Sequence, residues 1–344
     1  MKVKPSISVI MAVYNTKESY LKEAIESILQ QTFTDFEFII ICDCPTDNST
    51  AIVRSYASSD KRIFVIENNQ NIGLTKSLNK GIRVSRGQYL ARMDADDIAM
   101  SERLKIQYQF MESHPDVIVL GSRVKTTDNN RIAVSTFLPD QDVLRIRMLF
   151  ANCGVPHPTA FLRKSFLIKE HLLYDENYPK SQDYKLWIDI LERNGQMVLL
   201  HEVLLMYRIH DKQISEIEGK TKYPYSLSIA CDNLTKLLGS LTSNEIDLVR
   251  TIRMGILPNN DTYALSSFFT KIIDVNSKLK KYDHCKLKRE LTYIWILKSL
   301  RRIKHCGKFD MVFCSYFKIW HLEIIKYFIY NYIKKNGYSF KFNL

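Results

Sequence analysis

The chain has 344 residues, 46% of them hydrophobic, enough for one large domain with an appendage or for two domains. Its formal net charge of +12 sits at the end of the chain: residues 278–344 hold 16 Lys+Arg against 4 Asp+Glu, a difference of +12, and the remaining 33 of each sign cancel. No uninterrupted apolar run reaches the ~18 residues a membrane-spanning helix needs, and seven cysteines (42, 44, 153, 231, 285, 306, 314) without a CxxC pair argue against a disulfide framework or a zinc site.

Met1 to Ser6 is short and polar and lacks the pattern of a secretory leader, so a reducing cytoplasm is the expected location. Residues 7–13 form an apolar run of strand length. A helix follows, with Leu21, Ala24, Ile25, Ile28 and Leu29 on one face. Residues 36–41 read as a second buried strand that exits through the polar loop Cys42-Asp43-Cys44-Pro45-Thr46-Asp47-Asn48-Ser49. Residues 52–57 are expected to be helical, 63–66 a third strand, and 73–84 a helix stopped by Arg86-Gly87. A fourth strand at 89–93, a helix at 102–113 and a fifth strand at 117–120 complete an alternation that predicts an α/β fold, a parallel sheet with helices on both faces. Residues 122–215 read as mixed α/β: helix at 140–152, extended chain at 159–163, helix at 182–193, strands at 197–200 and 204–209. Beyond about residue 216 the pattern turns helical and basic, as at 291–303 and 311–335.

The strand at 89–93 runs into Asp94-Ala95-Asp96-Asp97. Carboxylates this close repel one another unless a cation neutralises them. The end of a strand in an open α/β sheet is where ligands gather, so a hard divalent ion, Mg2+ or Mn2+, shared with substrate phosphates fits the pattern. A solvated turn capping the next helix is the plain alternative. GxGxxG and GxxxxGK[ST] are absent, which removes a dinucleotide fingerprint and a P-loop. An EF-hand fails because Ala99 and Lys105 stand where its Gly and Glu are needed.

These pieces fall in a recognisable order: Ala12-Val13-Tyr14-Asn15, Ala24-x-x-Ser27-Ile28-Leu29-x-Gln31, the CDCPTDNS loop, Asn71-Ile72-Gly73-Leu74, Leu78-Asn79-x-Gly81-Ile82 and Arg86-Gly87-Gln88-Tyr89. Next come Met93-Asp94-Ala95-Asp96-Asp97, His157-Pro158-Thr159, Gln182-Asp183-Tyr184-x-Leu186-Trp187, Tyr207-Arg208-x-His210 and Ser215. From residue 6 to about 216 the chain resembles glycosyltransferase family 2, the inverting GT-A type, and within it bacterial enzymes of surface and capsular polysaccharide synthesis. That resemblance implies a GT-A domain at 1–216, with a nucleotide-sugar half at 1–121 and an acceptor half at 122–216, followed by a basic helical region at 217–344.

It further implies that Asp94 and Asp96 hold the divalent cation on the donor diphosphate, with Asp97 beside them as a supporting or ribose contact. Ala12, Tyr14, Asn15, Asp43, Asn71 and Lys76 would line the nucleotide site of a UDP-sugar. Asp183 takes the place of the catalytic base, and His157, Gln182, Trp187, Arg208 and His210 are candidates for the acceptor or the diphosphate. The chain departs from the family's usual DDGS loop at Cys42, where the first Asp stands, and at Cys44, where Gly stands. A sugar-binding protein without catalysis and a nucleotidyltransferase are the other readings. The basic tail suits a membrane surface or a packed helical subdomain better than nucleic acid, so a peripheral place on the inner face of the membrane, near a lipid-linked glycan acceptor, is the further expectation.

Overall fold

The computed structural model describes residues 4–127, 140–210, 219–254 and 261–306. Strand β1 (Ile7–Val13), helix α1 (Glu18–Leu29), β2 (Phe36–Cys42), α2 (Ser49–Ser59), β3 (Ile63–Glu67), α3 (Leu74–Val84) and β4 (Tyr89–Asp94) follow as successive strand–helix units. They are joined by β5 (Ile98–Ala99), α4 (Arg103–Ser113), β6 (Val117–Thr126), α5 (Gln141–Arg147), β7 (Phe161–Arg163), α6 (Lys164–Lys169), α7 (Gln182–Glu192) and β8 (Gln196–Tyr207). The eight strands form one sheet in the order β3-β2-β1-β4-β7-β6-β8-β5. β1, β2, β3 and β4 are mutually parallel, as is β6 with β8, whereas β7 runs antiparallel to both neighbours and β5 antiparallel to β8.

Alternation along β1 sends Ile7, Val9, Met11 and Val13 to one face, where Leu21, Ala24, Ile25 and Ile28 of α1 cover them. Ile10 points the other way, onto Leu78 and Ile82 of α3 together with Ile39 and Ile41 of β2. With both faces covered, the central strands read as unbroken apolar runs, as expected of a parallel sheet. The close packing of α3 on β1 depends on Gly81, where a Cβ would stand 2.7 Å from Ile10 Cγ2.

Several elements differ from the expectations. β8 is one strand and not two, because the exposed His201-Glu202 pair is absorbed as an irregularity in its pairing with β6. β6 runs on to Thr126, past the Gly121-Ser122-Arg123 stretch that hides it in the sequence. Helix α5 starts where expected, with the Asp140 carboxylate accepting from Asp142 N and Val143 N at 3.1 Å, but ends at Arg147 in tighter turns. The extended segment expected at 159–163 is strand from Phe161 to Arg163, and its first residue, Thr159, instead ends a short 3-10 turn at His157–Thr159.

The chain divides into two compact units, Met1–Ala230 and Cys231–Leu344. Helix α8 (Gly219–Leu238) is followed by α9 (Ser243–Met254), α10 (Asp261–Leu279) and α11 (His284–Cys306). Within the second unit Leu234, Val249, Leu265, Phe268, Ile272, Leu287 and Trp295 are buried, so its described part has its own apolar core. The boundary expected at residue 216, Ser215 and the helix expected at 311–335 lie outside the described residues. None of the described helices is long and apolar enough to cross a membrane.

Candidate active site

The parallel register brings three strand ends together. Ala12 of β1 lies opposite Asp94 of β4, and Val13 opposite Cys42 of β2. The acidic turn therefore opens beside the loops that leave β1 and β2. The segment after it is held by Ser27 of α1 and by Gln31, just past the end of that helix. Ser27 Oγ accepts from Ala99 N at 3.1 Å, while Gln31 donates to Met100 O at 2.7 Å and accepts from Leu104 N at 2.9 Å.

Oxygens of Asp94, Asp96 and Asp97 lie within 4.8 Å of one another. Asp94 pairs with the buried Arg92 guanidinium. Asp96 Oδ2 sits 3.0 Å from His210 Nε2. Asp97 is fully buried; its Oδ1 accepts from Arg208 N at 2.9 Å and its Oδ2 has no hydrogen-bond partner. Burial, reinforced by the Asp94 and Asp96 carboxylates, pushes the Asp97 carboxyl well above the ordinary range. A tight set of carboxylate oxygens, one of them buried and unpartnered, fits a hard divalent cation.

Arg208 ties the exit of β8 to this turn. Its Nε donates to Asp96 O at 2.7 Å, its guanidinium pairs with Glu23, and it lies 4.2 Å above the Tyr20 ring. Tyr20 also stands 5.3 Å from the His210 ring. Glu23 and Tyr20 are not among the expected site residues. Their signal is their spacing on the first helix, which reads as an ordinary solvent face.

At the exits of β1 and β2, Asn15 adopts a left-handed backbone (φ 48°), and its Oδ1 accepts from Thr46 N at 2.8 Å, joining the two loops. Tyr14 is half-exposed beside it. Asp43 is buried and accepts from Asn68 Nδ2 at 2.7 Å, Ile72 N at 2.9 Å and Gly73 N at 2.8 Å, so its carboxylate moulds the Asn71–Gly73 turn. Asn71 Oδ1 accepts from Gly73 N at 3.1 Å, and Lys76 is exposed on the first turns of α3.

The two departures at the β2 exit have different consequences. Cys42 is buried in the core, its thiol pushed up to about 11 by burial. Cys44 is exposed and left-handed, with φ 51°. Glycine takes that conformation freely, whereas an L side chain is strained by roughly 1–2 kcal/mol. Cys44→Gly is expected to stabilise the chain by about 1 kcal/mol, read as a higher denaturant midpoint. A lower midpoint would mean that the 3.8 Å contact of Cys44 Sγ with Asn69 O outweighs the strain.

Of the candidates expected on the acceptor side, His157 meets Tyr174, a residue the sequence does not single out. Asn79 of α3 donates to Tyr174 O at 2.8 Å and accepts from Tyr174 N at 3.0 Å. The Tyr174 hydroxyl is 2.7 Å from His157 Nε2. Burial raises its pKa strongly, and Arg92, Asp183 and Asp94 all act on it electrostatically. Asp183, in the first turn of α7, accepts from Asn152 Nδ2 at 2.8 Å. Gln182 beside it is buried. Trp187 is wholly enclosed: a Cβ on Gly154 would stand 2.5 Å from its ring, and His157 lies edge-on at 6.2 Å. It shapes the floor under His157 and presents no surface of its own.

Residues 8–172 match the family described as glycosyl transferase family 2. An uncharacterised glycosyltransferase of Methanocaldococcus jannaschii is 39% identical over 227 residues, 64% of this chain and 78% of that protein. The chain belongs to glycosyltransferase family 2. The O-antigen biosynthesis glycosyltransferase WbnJ of Escherichia coli is 33% identical over 220 residues, 62% of this chain and 83% of WbnJ. Among solved structures, S. aureus TarS 1-349 in complex with UDP-GlcNAc superposes with a TM-score of 0.60 at 18% identity, covering 88% of this chain and 93% of that one. At that identity the likeness concerns the fold, which is the GT-A arrangement of a mostly parallel sheet flanked by helices. For a family 2 glycosyltransferase, the acidic turn and the Tyr174 cluster are the two sides of one candidate active site.

Proposed function

We propose that this family 2 glycosyltransferase moves a sugar from a nucleotide-diphosphate donor, a UDP-sugar, to a glycan hydroxyl with inversion, in the synthesis of a cell-surface polysaccharide. One observation carries the reading: Arg92 pairs with Asp94 of the acidic turn and lines one hollow with Tyr174. A carboxylate cluster suited to a cation thus adjoins the Tyr174–His157 group, while Asp183 is a lone carboxylate held apart on α7.

The β1 and β2 exits, through Tyr14, Asn15 and the Asp43-shaped turn, hold the nucleotide. Asp94 and Asp96 would hold the divalent cation, and Asp97 would support them. When bound, that ion supplies Lewis-acid stabilisation of the departing diphosphate. Asp183 accepts the proton of the acceptor hydroxyl as its oxygen forms a bond to the anomeric carbon. On the opposite face the bond to the diphosphate oxygen breaks and its electron pair leaves with the nucleotide. A single base on the acceptor side gives one displacement and hence inversion. Asn152 fixes one Asp183 oxygen, and His157, Gln182 and Arg208 border the acceptor and the diphosphate. WbnJ's part in O-antigen biosynthesis favours a glycan acceptor.

A panel of nucleotide sugars, screened by thermal shift with and without Mn2+, is expected to show metal-dependent stabilisation by one UDP-sugar. NMR of its product should then show the anomeric configuration opposite to the donor's. A retained configuration sinks the mechanism. The excess of basic residues in 278–344 favours a peripheral site on anionic membrane, at about 1 kcal/mol per basic residue near the surface. The full chain is expected to sediment with anionic but not zwitterionic vesicles at low salt. Equal sedimentation, or none, rejects membrane contact.

A further inference from the structure

Arg92 stands two residues before Asp94 on β4, so strand alternation puts both side chains on one face of the sheet. The arginine is buried, and its Nη2 pairs with Asp94 Oδ1. Its Nε and Nη1 are buried without hydrogen-bond partners. Around the guanidinium, Ile10, Leu78, Leu90 and Leu162 line a hollow with Tyr174. Leaving Asp94 would strand a permanent charge among these apolar groups, which is costly. The ion pair therefore persists when a second cation approaches from the exposed side of Asp94.

We infer that Arg92 is a built-in counter-cation of the acidic turn: it part-neutralises Asp94 and weakens binding of a bare divalent ion, so that the ion is held tightly only together with a diphosphate. The inference rests on the metal–diphosphate reading above. Ligand charge count sets the affinity of carboxylate sites for divalent cations. A fixed positive charge behind one ligand opposes the incoming ion. A bound diphosphate adds negative charge on the open side and restores the attraction. By linkage, each then strengthens the binding of the other. A merely structural role for Arg92 predicts the reverse, because losing an oriented ligand weakens metal binding by about 10–100-fold.

The test is titration of the full chain with Mn2+, followed by electron paramagnetic resonance, in the absence and presence of UDP or GDP. Wild-type protein is expected to bind Mn2+ at least about tenfold more tightly with nucleotide than without. Arg92→Met should bind Mn2+ alone about tenfold more tightly than wild type, with a smaller gain on adding nucleotide. Arg92→Lys, which keeps the charge, should behave as wild type. Where Arg92→Met does not fold, Arg92→Gln takes its place with the same expectation. Unchanged or weaker Mn2+ binding in the neutral variant overturns the inference, as does tightening in Arg92→Lys equal to that in Arg92→Met. If wild-type protein binds Mn2+ neither alone nor with either nucleotide, the metal reading itself falls.

Discussion

Asp183→Asn is expected to lower kcat by about 10²–10⁴-fold, the range contributed by a positioned general base, while leaving the donor Kd unchanged. The substitution keeps the shape of the side chain and its place in the first turn of α7. It removes the ability to take a proton and turns the contact with Asn152 into one between two amides, in which the introduced carboxamide still has an oxygen to accept from Asn152 Nδ2. The acidic turn proposed to bind the donor does not depend on it. The expected signature is therefore a loss confined to turnover, measured as kcat with saturating donor and acceptor, beside calorimetric donor binding that matches wild type. Turnover within tenfold of wild type would remove Asp183 from the base role. A parallel loss of donor binding would point instead to disruption of α7 and its buried face.

The fold was largely legible because its central strands are buried on both faces and announce themselves as apolar runs, and because α1 and α3 carry their apolar stripes at helical spacing. The parts that were not legible share a physical cause. β8 and the far end of β6 pair over positions where polar residues such as Ser122, Arg123 and Glu202 interrupt the pattern, and pairing partners far apart in sequence decide the matter. β5 has two residues, too few for any periodicity.

The candidate site was legible as an ordered set of motifs, but the motifs do not separate residues that would face a ligand from those that build the place for one. Ser27 and Gln31 fasten the segment after the acidic turn, Asn79 fastens Tyr174, Gly81 lets α3 approach β1, and Asp43 shapes a loop. Arg92 and Tyr174 were missed for the opposite reason. An arginine inside an apolar strand and a tyrosine in a loop carry no periodic signal, and both acquire meaning only when folding buries Arg92 beside Asp94 and Tyr174 against His157.

Asp96→Ala is expected to abolish metal-dependent donor binding and to lower kcat/KM by on the order of 10²–10³-fold, the usual cost of removing one preorganised electrostatic group from a transition-state site. The geometry makes this substitution cleaner than one at either neighbour. Arg208 Nε donates to the main-chain oxygen of Asp96, and Arg208 N donates to Asp97, so the strand exit stays attached when the Asp96 side chain is cut back. What is lost is one carboxylate from the oxygen cluster and the partner of His210 Nε2. Replacing Asp94 would instead strand the buried Arg92, and replacing Asp97 would empty a fully enclosed position; both confuse ligand loss with damage to the fold. Calorimetry with a UDP-sugar should show Mn2+ strengthening binding to wild type and leaving Asp96→Ala unaffected, at a melting temperature close to wild type. Donor binding that still responds to Mn2+ in a folded Asp96→Ala chain would place the cation elsewhere, on Asp94 and Asp97 without it.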